Sequence, residues 1–234
     1  MDDTQELLAD LYIVCQPIML CSDINVIDGY EVLLRSKKQP GFPEKTFLWL
    51  IEEEQRNSEL LVYYSKELKK IIAATSNIKL ALNLHPKQLQ HQSTWLFLDT
   101  IVSMKENISI ELTEHQCEMG GIDHEKLLQL YIEKLTQTGL RIAIDDVGTG
   151  QNNLQLVVKN VGNRNAIKLS LTDFQGLNEH VLMNFLSSWL FLAEHYHLKM
   201  IVEGIENERI SNELKKLGMV YQQGYYHGKA QVLH

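Results

Sequence analysis

Glu31, Asn83, Glu111, the adjacent pair Asp145-Asp146 and, further on, Lys168 and Glu203 fall at the ends of predicted strands. Four of the first five are carboxylates and the fifth is an amide, so the set offers hard oxygen donors. Such donors suit Mg²⁺ or Mn²⁺, and a site of that kind points to phosphoryl chemistry. Two adjacent acids at a strand end also serve commonly as a helix cap and its neighbour. Here the pair follows an apolar strand and precedes Gly148-Thr149-Gly150, where a loop leaves the sheet. Lys168 closes the short apolar run Ala166-Ile167; taken alone it reads equally as a charge exposed at a strand end.

Other metal chemistries fit less well. The nine histidines include no HxxxH or His-Asp pairing and read as scattered surface or loop residues, His85 beside Asn83 among them. Cys15, Cys21 and Cys117 are odd in number and widely spaced, against both a disulfide framework and a zinc site. A net charge of −8 argues against DNA or RNA as a partner, since such binding is driven by basic surface. A small anionic ligand stays open, because a divalent metal and a few cations neutralise phosphate locally.

The elements that must position these residues follow from periodicity. Tyr12 to Leu20 and Val26 to Arg35 read as two strands around a polar turn, an antiparallel hairpin. Glu44 to Ala74 reads as helix, broken once near Arg56-Asn57-Ser58, after a loop-like Lys37 to Pro43 that follows Glu31 and Arg35 closely. Strand and helix then alternate. The strands are Ile78 to Leu84, Ile108 to Leu112, Leu140 to Ile144, Ala166 to Leu169 and Lys199 to Val202, with a last apolar step from Met219 to Tyr221. The helices are Ser93 to Met104, His124 to Gln137, Glu179 to His195 and Asn207 to Leu217. The apolar stripe around Phe185, Leu186 and Trp189 to Leu192 reads as core packing.

Such alternation over 234 residues means a parallel sheet with crossover helices in one domain. Asn83, Glu111, Asp145, Lys168 and Glu203 each fall near the C-terminal end of a different strand. A closed barrel brings those ends round one mouth, whereas an open sheet spreads them along an edge. The expected fold is therefore α/β, a modified (β/α)8 TIM-like barrel with an antiparallel first strand.

These residues carry a family resemblance. Gln16-Pro17-Ile18, Glu31-Val32-Leu33-Leu34-Arg35, Asn83, Glu111-Leu112-Thr113-Glu114, Asp145-Asp146-Val147-Gly148-Thr149-Gly150, Lys168, Glu203-Gly204-Ile205-Glu206 and Gln223-Gly224-Tyr225 follow one another as in the EAL-domain family of cyclic di-GMP phosphodiesterases. The match runs from about Tyr12 to Lys229, one EAL-type barrel domain. It implies hydrolysis of cyclic di-GMP to linear pGpG with two Mg²⁺ or Mn²⁺ ions. Asp145 would bridge the ions, Glu31, Asn83 and Glu111 would complete one shell, and Asp146 and Glu203 would hold the second ion. Lys168 would orient the attacking water, and Glu203 would act as ligand, general base or both. Glu114 resembles the glutamate that fixes the loop after Asp145-Asp146. Gln16 and Gln223 resemble substrate-contacting positions of the family, and Arg35, which as a lone arginine would more often be solvated, has a donor fork suited to phosphate as a substrate-binding residue. Ca²⁺ is expected to inhibit, because a larger ion with looser geometry misplaces the bridging water.

The chain departs from the family where Val147 replaces a phenylalanine and Gln151-Asn152-Asn153 replaces an aromatic and two serines. That loop couples dimer contacts to metal binding in the family, so its regulation is the part in question. An active phosphodiesterase is the first reading. A cyclic di-GMP receptor without turnover and a protein-interaction scaffold are the alternatives. The resemblance also implies a homodimer. With no room here for a sensory or cyclase domain, the input is expected from a sensory or signalling partner protein, from oligomerisation or from expression level. An acidic start and the lack of a long apolar run predict no membrane insertion and a cytoplasmic protein.

Overall fold

A computed structural model of the chain describes residues 3–75, 77–113, 124–149, 152–163 and 165–233. Two long strands, β1 (Leu11–Cys21) and β2 (Asn25–Ser36), form the expected antiparallel hairpin, with Gln16 opposite Glu31. Six shorter strands follow: β3 (Leu80–Leu84), β4 (Ile108–Leu112), β5 (Arg141–Ile144), β6 (Ala166–Ser170), β7 (Lys199–Glu203) and β8 (Tyr221–Gln223). The order β1 to β8 is a closed barrel in which neighbours from β2 to β8 are parallel. β1 closes the ring by pairing antiparallel with β8 as well. Among the described residues every strand has a neighbour on both sides.

The period of two along each strand decides what enters the barrel. Leu80, Leu82 and Leu84 on β3, Ile108, Ile110 and Leu112 on β4, and Ile167 and Leu169 on β6 all belong to the large core shared with the helices. Their alternates face the axis. There Ile18, Ala81 and Ile201 form a small separate cluster with Tyr221 packed against it. Above that apolar plug, the same alternation delivers Asn83, Glu111, Lys168 and Glu203.

Among the described residues eight α-helices flank the strands: α1 (Asp3–Asp10), α2 (Glu44–Leu50), α3 (Glu54–Ala74), α4 (Gln92–Ile101), α5 (His124–Gln137), α6 (Leu154–Lys159), α7 (Glu179–His195) and α8 (Glu208–Lys216). The break between α2 and α3 falls at Ile51 to Glu53, not near Arg56-Asn57-Ser58. Asn57 lies within α3 because tertiary partners take up its amide: it donates to Ser93 Oγ at 2.8 Å and Thr94 Oγ1 at 3.0 Å and accepts from Gln88 Nε2 at 3.0 Å. α1 and α6 carry no expectation from the pattern. α6 is begun by Asn153, whose side chain accepts from the Leu156 N–H. β8 begins two residues later than expected, since Met219 and Val220 are held in the turn after α8. In α7, Leu186 and Trp189 are core, while Phe191 on the opposite face is 73% exposed. Among the described residues no helix is long and apolar enough to cross a membrane.

Candidate active site

Lys168 is the largest fully buried side chain, and it organises the barrel mouth. Its Nζ lies 2.6 Å from Glu203 Oε1, 2.7 Å from Glu111 Oε2, 3.3 Å from Asp145 Oδ1 and 3.6 Å from Glu31 Oε2. The reading of Lys168 as an exposed strand-end charge is therefore excluded. Burial opposes its charge, but the four carboxylates outweigh burial and hold the ammonium protonated well above the ordinary lysine range. Each partner comes from a different strand or strand end. Glu31 sits in the middle of β2 rather than at its end, because β2 runs past the rim and pairs with β3 only as far as Val32.

One ammonium cannot neutralise this many acids. Burial pushes Glu111 up to about 8, with Glu31 and Asp145 adding to the shift and Lys168 opposing it. Glu203 is raised well above the carboxylate range by burial and the same crowding. Burial acts on Glu31 too, yet Lys168 and hydrogen bonds from Asn83 and Gln223 outweigh it and leave its pKa lowered. Asn83 Nδ2 donates to Glu31 Oε1 at 2.7 Å, and Gln223 Nε2 to Glu31 Oε2 at 2.6 Å. The amide oxygens of Asn83 and Gln223 are buried without a hydrogen-bond partner. Unpaired oxygens beside excess carboxylate suit hard cations, so the donor set fits Mg²⁺ or Mn²⁺ in type. Among the described residues no three His, Cys, Asp or Glu side chains already converge as a metal cage; the acids converge on Lys168 instead.

The loop after β5 adds the second acid of the pair. Neighbours on a strand point to opposite faces, but Asp146 has φ +46° and both Asp145 and Asp146 line one cavity of about 230 Å³. Left-handed backbone is tolerated by aspartate more readily than by most residues. The Val147 N–H donates to the Lys168 carbonyl at 2.9 Å, and the Val147 side chain is wholly buried. Arg35 lines the same cavity, its Nη1 donating to the Leu34 carbonyl at 2.9 Å. Phe42, Phe47, Leu48 and Tyr64 supply an apolar wall, so the loop before Pro43 does border the site.

The structure thus unites Glu31, Asn83, Glu111, Asp145, Lys168, Glu203 and Gln223, with Asp146 and Arg35 at the adjoining cavity. Gln16 is half-buried, its Nε2 donating to the Gly228 carbonyl at 3.3 Å. Glu114 and Cys117 lie outside the described residues. His85 is buried against the cavity rather than on the surface. The available signal was its position two residues after Asn83, which continues the same strand end.

A parallel barrel whose polar residues gather at the C-terminal ends of its strands is the architecture of a barrel enzyme. The chain belongs to the EAL domain family, whose pattern matches residues 3–230. It is 30% identical over 239 residues to "Probable cyclic di-GMP phosphodiesterase PdeI" of Escherichia coli, covering 95% of this chain and 29% of that protein. The chain therefore spans about three tenths of that relative's length. Two solved structures share the fold. A standalone versatile EAL protein from Vibrio cholerae, in its c-di-GMP-bound form, matches with a TM-score of 0.69 at 21% identity, over 95% of this chain and 93% of that one. Klebsiella pneumoniae BlrP1, in a manganese and cyclic di-GMP complex, matches at 0.73 and 21% identity, over 92% of this chain and 55% of that one.

Proposed function

We propose that this site hydrolyses one phosphodiester bond of cyclic di-GMP to leave linear pGpG. The observation that carries the reading is the buried Lys168 ammonium shared among Glu31, Glu111, Asp145 and Glu203. So many acids around one cation are costly unless further positive charge arrives, and a phosphodiester needs that charge nearby. Glu31, Asn83, Glu111 and Asp145 would hold one Mg²⁺ or Mn²⁺, and Asp145, Asp146 and Glu203 a second. When bound, these ions supply Lewis-acid polarisation of the phosphoryl oxygen and a bound water of lowered pKa. The manganese complex of the Klebsiella relative supports that choice of ion.

The chain's own residues supply the rest. Lys168 offsets the charge that grows on the phosphoryl oxygens, because it stays protonated through the working pH range. Glu203, ion-paired with Lys168, would take the proton of the attacking water. Gln223 orients Glu31, and Arg35 offers its fork to a non-bridging phosphate oxygen. The apolar wall of Phe42, Phe47 and Tyr64 gives a purine face something to pack against.

A receptor without turnover is the second reading. It is favoured by the absence, among the described residues, of a ready metal cage. One assay separates the two: incubation with cyclic di-GMP and Mg²⁺ or Mn²⁺, with Glu31→Ala as control, and chromatography for pGpG. Product from the native chain alone supports hydrolysis. Binding without product leaves the receptor, and neither binding nor product removes both.

A further inference from the structure

Asn152 departs from the family pattern, and its side chain is placed where the backbone ladder runs out. β4 and β5 pair from Ser109↔Arg141 to Leu112↔Ile144, and the last backbone bond between them is from Asp145 N–H to the Leu112 carbonyl at 3.1 Å. Beyond that rung the strands end. The amide nitrogen of Asn152 donates both to the Leu112 carbonyl at 3.3 Å and to the Asp145 carbonyl at 2.5 Å. Its backbone carbonyl accepts the Gly148 N–H at 2.9 Å, and the residue is 1% exposed. One buried side chain thus ties the residue after Glu111 to Asp145 itself, while the backbone carbonyl of the same residue closes the loop at Gly148.

We propose that Asn152 is a positioning residue: its NH₂ group acts as an extra rung between β4 and β5 and sets the separation of the Glu111 and Asp145 carboxylates. The chemistry requires that amide. An NH₂ group has two hydrogens and can serve two carbonyls at once, whereas serine, which the resemblance leads one to expect here, has one donor and a shorter reach. The side-chain oxygen Oδ1 of Asn152 is buried without a hydrogen-bond partner, an unfavourable arrangement that the two donor bonds offset. Because the held atoms are the main-chain oxygens of one candidate ligand, Asp145, and of the residue after another, Glu111, a slip of the clasp alters the donor set without emptying it.

This inference rests on the metal-dependent reading of the site, and the test separates the two. Asn152→Asp keeps the shape, removes the donor and sets a carboxylate against two carbonyls; Asn152→Ser keeps a single donor. Mn²⁺ binding is measured by calorimetry without nucleotide, and amide hydrogen exchange is followed at Val147 and Gly148. In Asn152→Asp the Mn²⁺ dissociation constant is expected to rise about 10–100-fold, the usual range for removing a hydrogen-bond partner that orients a ligand. kcat falls by a similar factor while KM for cyclic di-GMP changes little, and exchange at Val147 and Gly148 accelerates with the circular dichroism unchanged. Asn152→Ser is expected to lie between the two. Native Mn²⁺ affinity, native kcat and a lowered Tm alone would overturn the proposal, since that is the signature of a purely structural bond. If Asn152→Asp does not fold, Asn152→Ser decides by the same measurements. If the native chain itself binds no Mn²⁺, the metal reading falls separately, and unchanged exchange in a folded variant overturns the clasp.

Discussion

Lys168 Nζ stands 2.7 Å from Glu111 Oε2 with both side chains almost wholly shielded from water, and the same nitrogen reaches three further carboxylates. A buried charge that loses its partner is strongly destabilising, by about 3–5 kcal/mol where the survivor cannot reach solvent. Lys168→Met is therefore expected to lower the unfolding free energy of the metal-free protein by about 2–4 kcal/mol at neutral pH, less than that limit because Glu111 and Glu203 can take up protons. Turnover should fall by about 10²–10³-fold, the usual loss when one charge-stabilising donor is removed. Urea unfolding with and without Mn²⁺, beside pGpG formation, checks both. Mn²⁺ should restore stability and leave the rate low.

The protonation of Glu111 makes the metal-free protein less stable as pH rises. Its folded pKa of about 8 lies above the ordinary carboxylate value of 4.5, so between those limits the folded state binds more protons than the unfolded. The stabilisation is fully present below the lower limit and is lost as pH climbs through the upper one, and Glu203 acts in the same direction. The gain from the lowered Glu31 is already complete above the carboxylate range, and that from Lys168 is lost only in strong alkali. His227, depressed by burial and Lys215, opposes the trend weakly near pH 6.5. The metal-free Tm should thus fall from about pH 5 to pH 8, and Glu111→Gln should remove the Glu111 share of that slope and leave that of Glu203. A Tm that rises through this window would contradict the crowding of acids.

Mn²⁺ must displace the same protons, so its apparent affinity should rise with pH over that window. The limit is tenfold per pH unit for each proton released. Calorimetry in two buffers of different ionisation enthalpy counts the protons directly. A pH-independent affinity would mean that the ion displaces no protons from Glu111 and Glu203.

Most of this site could be read along the chain because a strand alternates. Asn83, Glu111 and Glu203 each sit at the last inward position of an apolar strand and Lys168 one inward step before the end of its own, and closure of the sheet brings such positions together wherever the strands lie in sequence. Asp146 breaks that rule through a left-handed φ that composition does not announce. Asn57 looked like a helix breaker because its partners, Gln88, Ser93 and Thr94, lie more than thirty residues away. His85 was set aside with other histidines because burial depends on α2, whose Phe47 ring packs 6.2 Å from it. The Asn152 clasp is of the same kind: a side chain serving two carbonyls leaves no periodic trace.

Ion size provides a further check. Mg²⁺ and Mn²⁺ are small and keep close to octahedral coordination, while Ca²⁺ takes more ligands at longer and looser distances. Ca²⁺ should bind and raise Tm yet support no pGpG formation, and it should inhibit the Mg²⁺ reaction competitively with the metal. Glu31→Ala should abolish product with either activating ion while the barrel stays folded, since Glu31 is held by Asn83 and Gln223 and supports no apolar packing of its own. Full turnover in Ca²⁺ would argue against paired small ions.

Gly224 follows Gln223 and lets the end of β8 lie flat against the loop after Glu203. Ile205 N–H donates to the Gln223 carbonyl at 3.1 Å, and Tyr226 N–H donates to the Ile205 carbonyl at 3.0 Å. A Cβ at Gly224 would come within 2.2 Å of the Ile205 oxygen and 2.3 Å of its nitrogen, both backbone atoms that no rotamer change can clear. Gly224→Ala must therefore part the two segments, breaking two hydrogen bonds and moving Gln223 off Glu31. A loss of about 3 kcal/mol or more is expected, within the range where backbone strain and lost buried hydrogen bonds combine. Gly41→Ala is the control, because it replaces another positive-φ glycine with open space around it. Thermal unfolding should show a large drop for Gly224→Ala and about 1 kcal/mol for Gly41→Ala. Equal effects would mean that φ alone, rather than the contact between β8 and the Glu203 loop, makes glycine necessary at position 224.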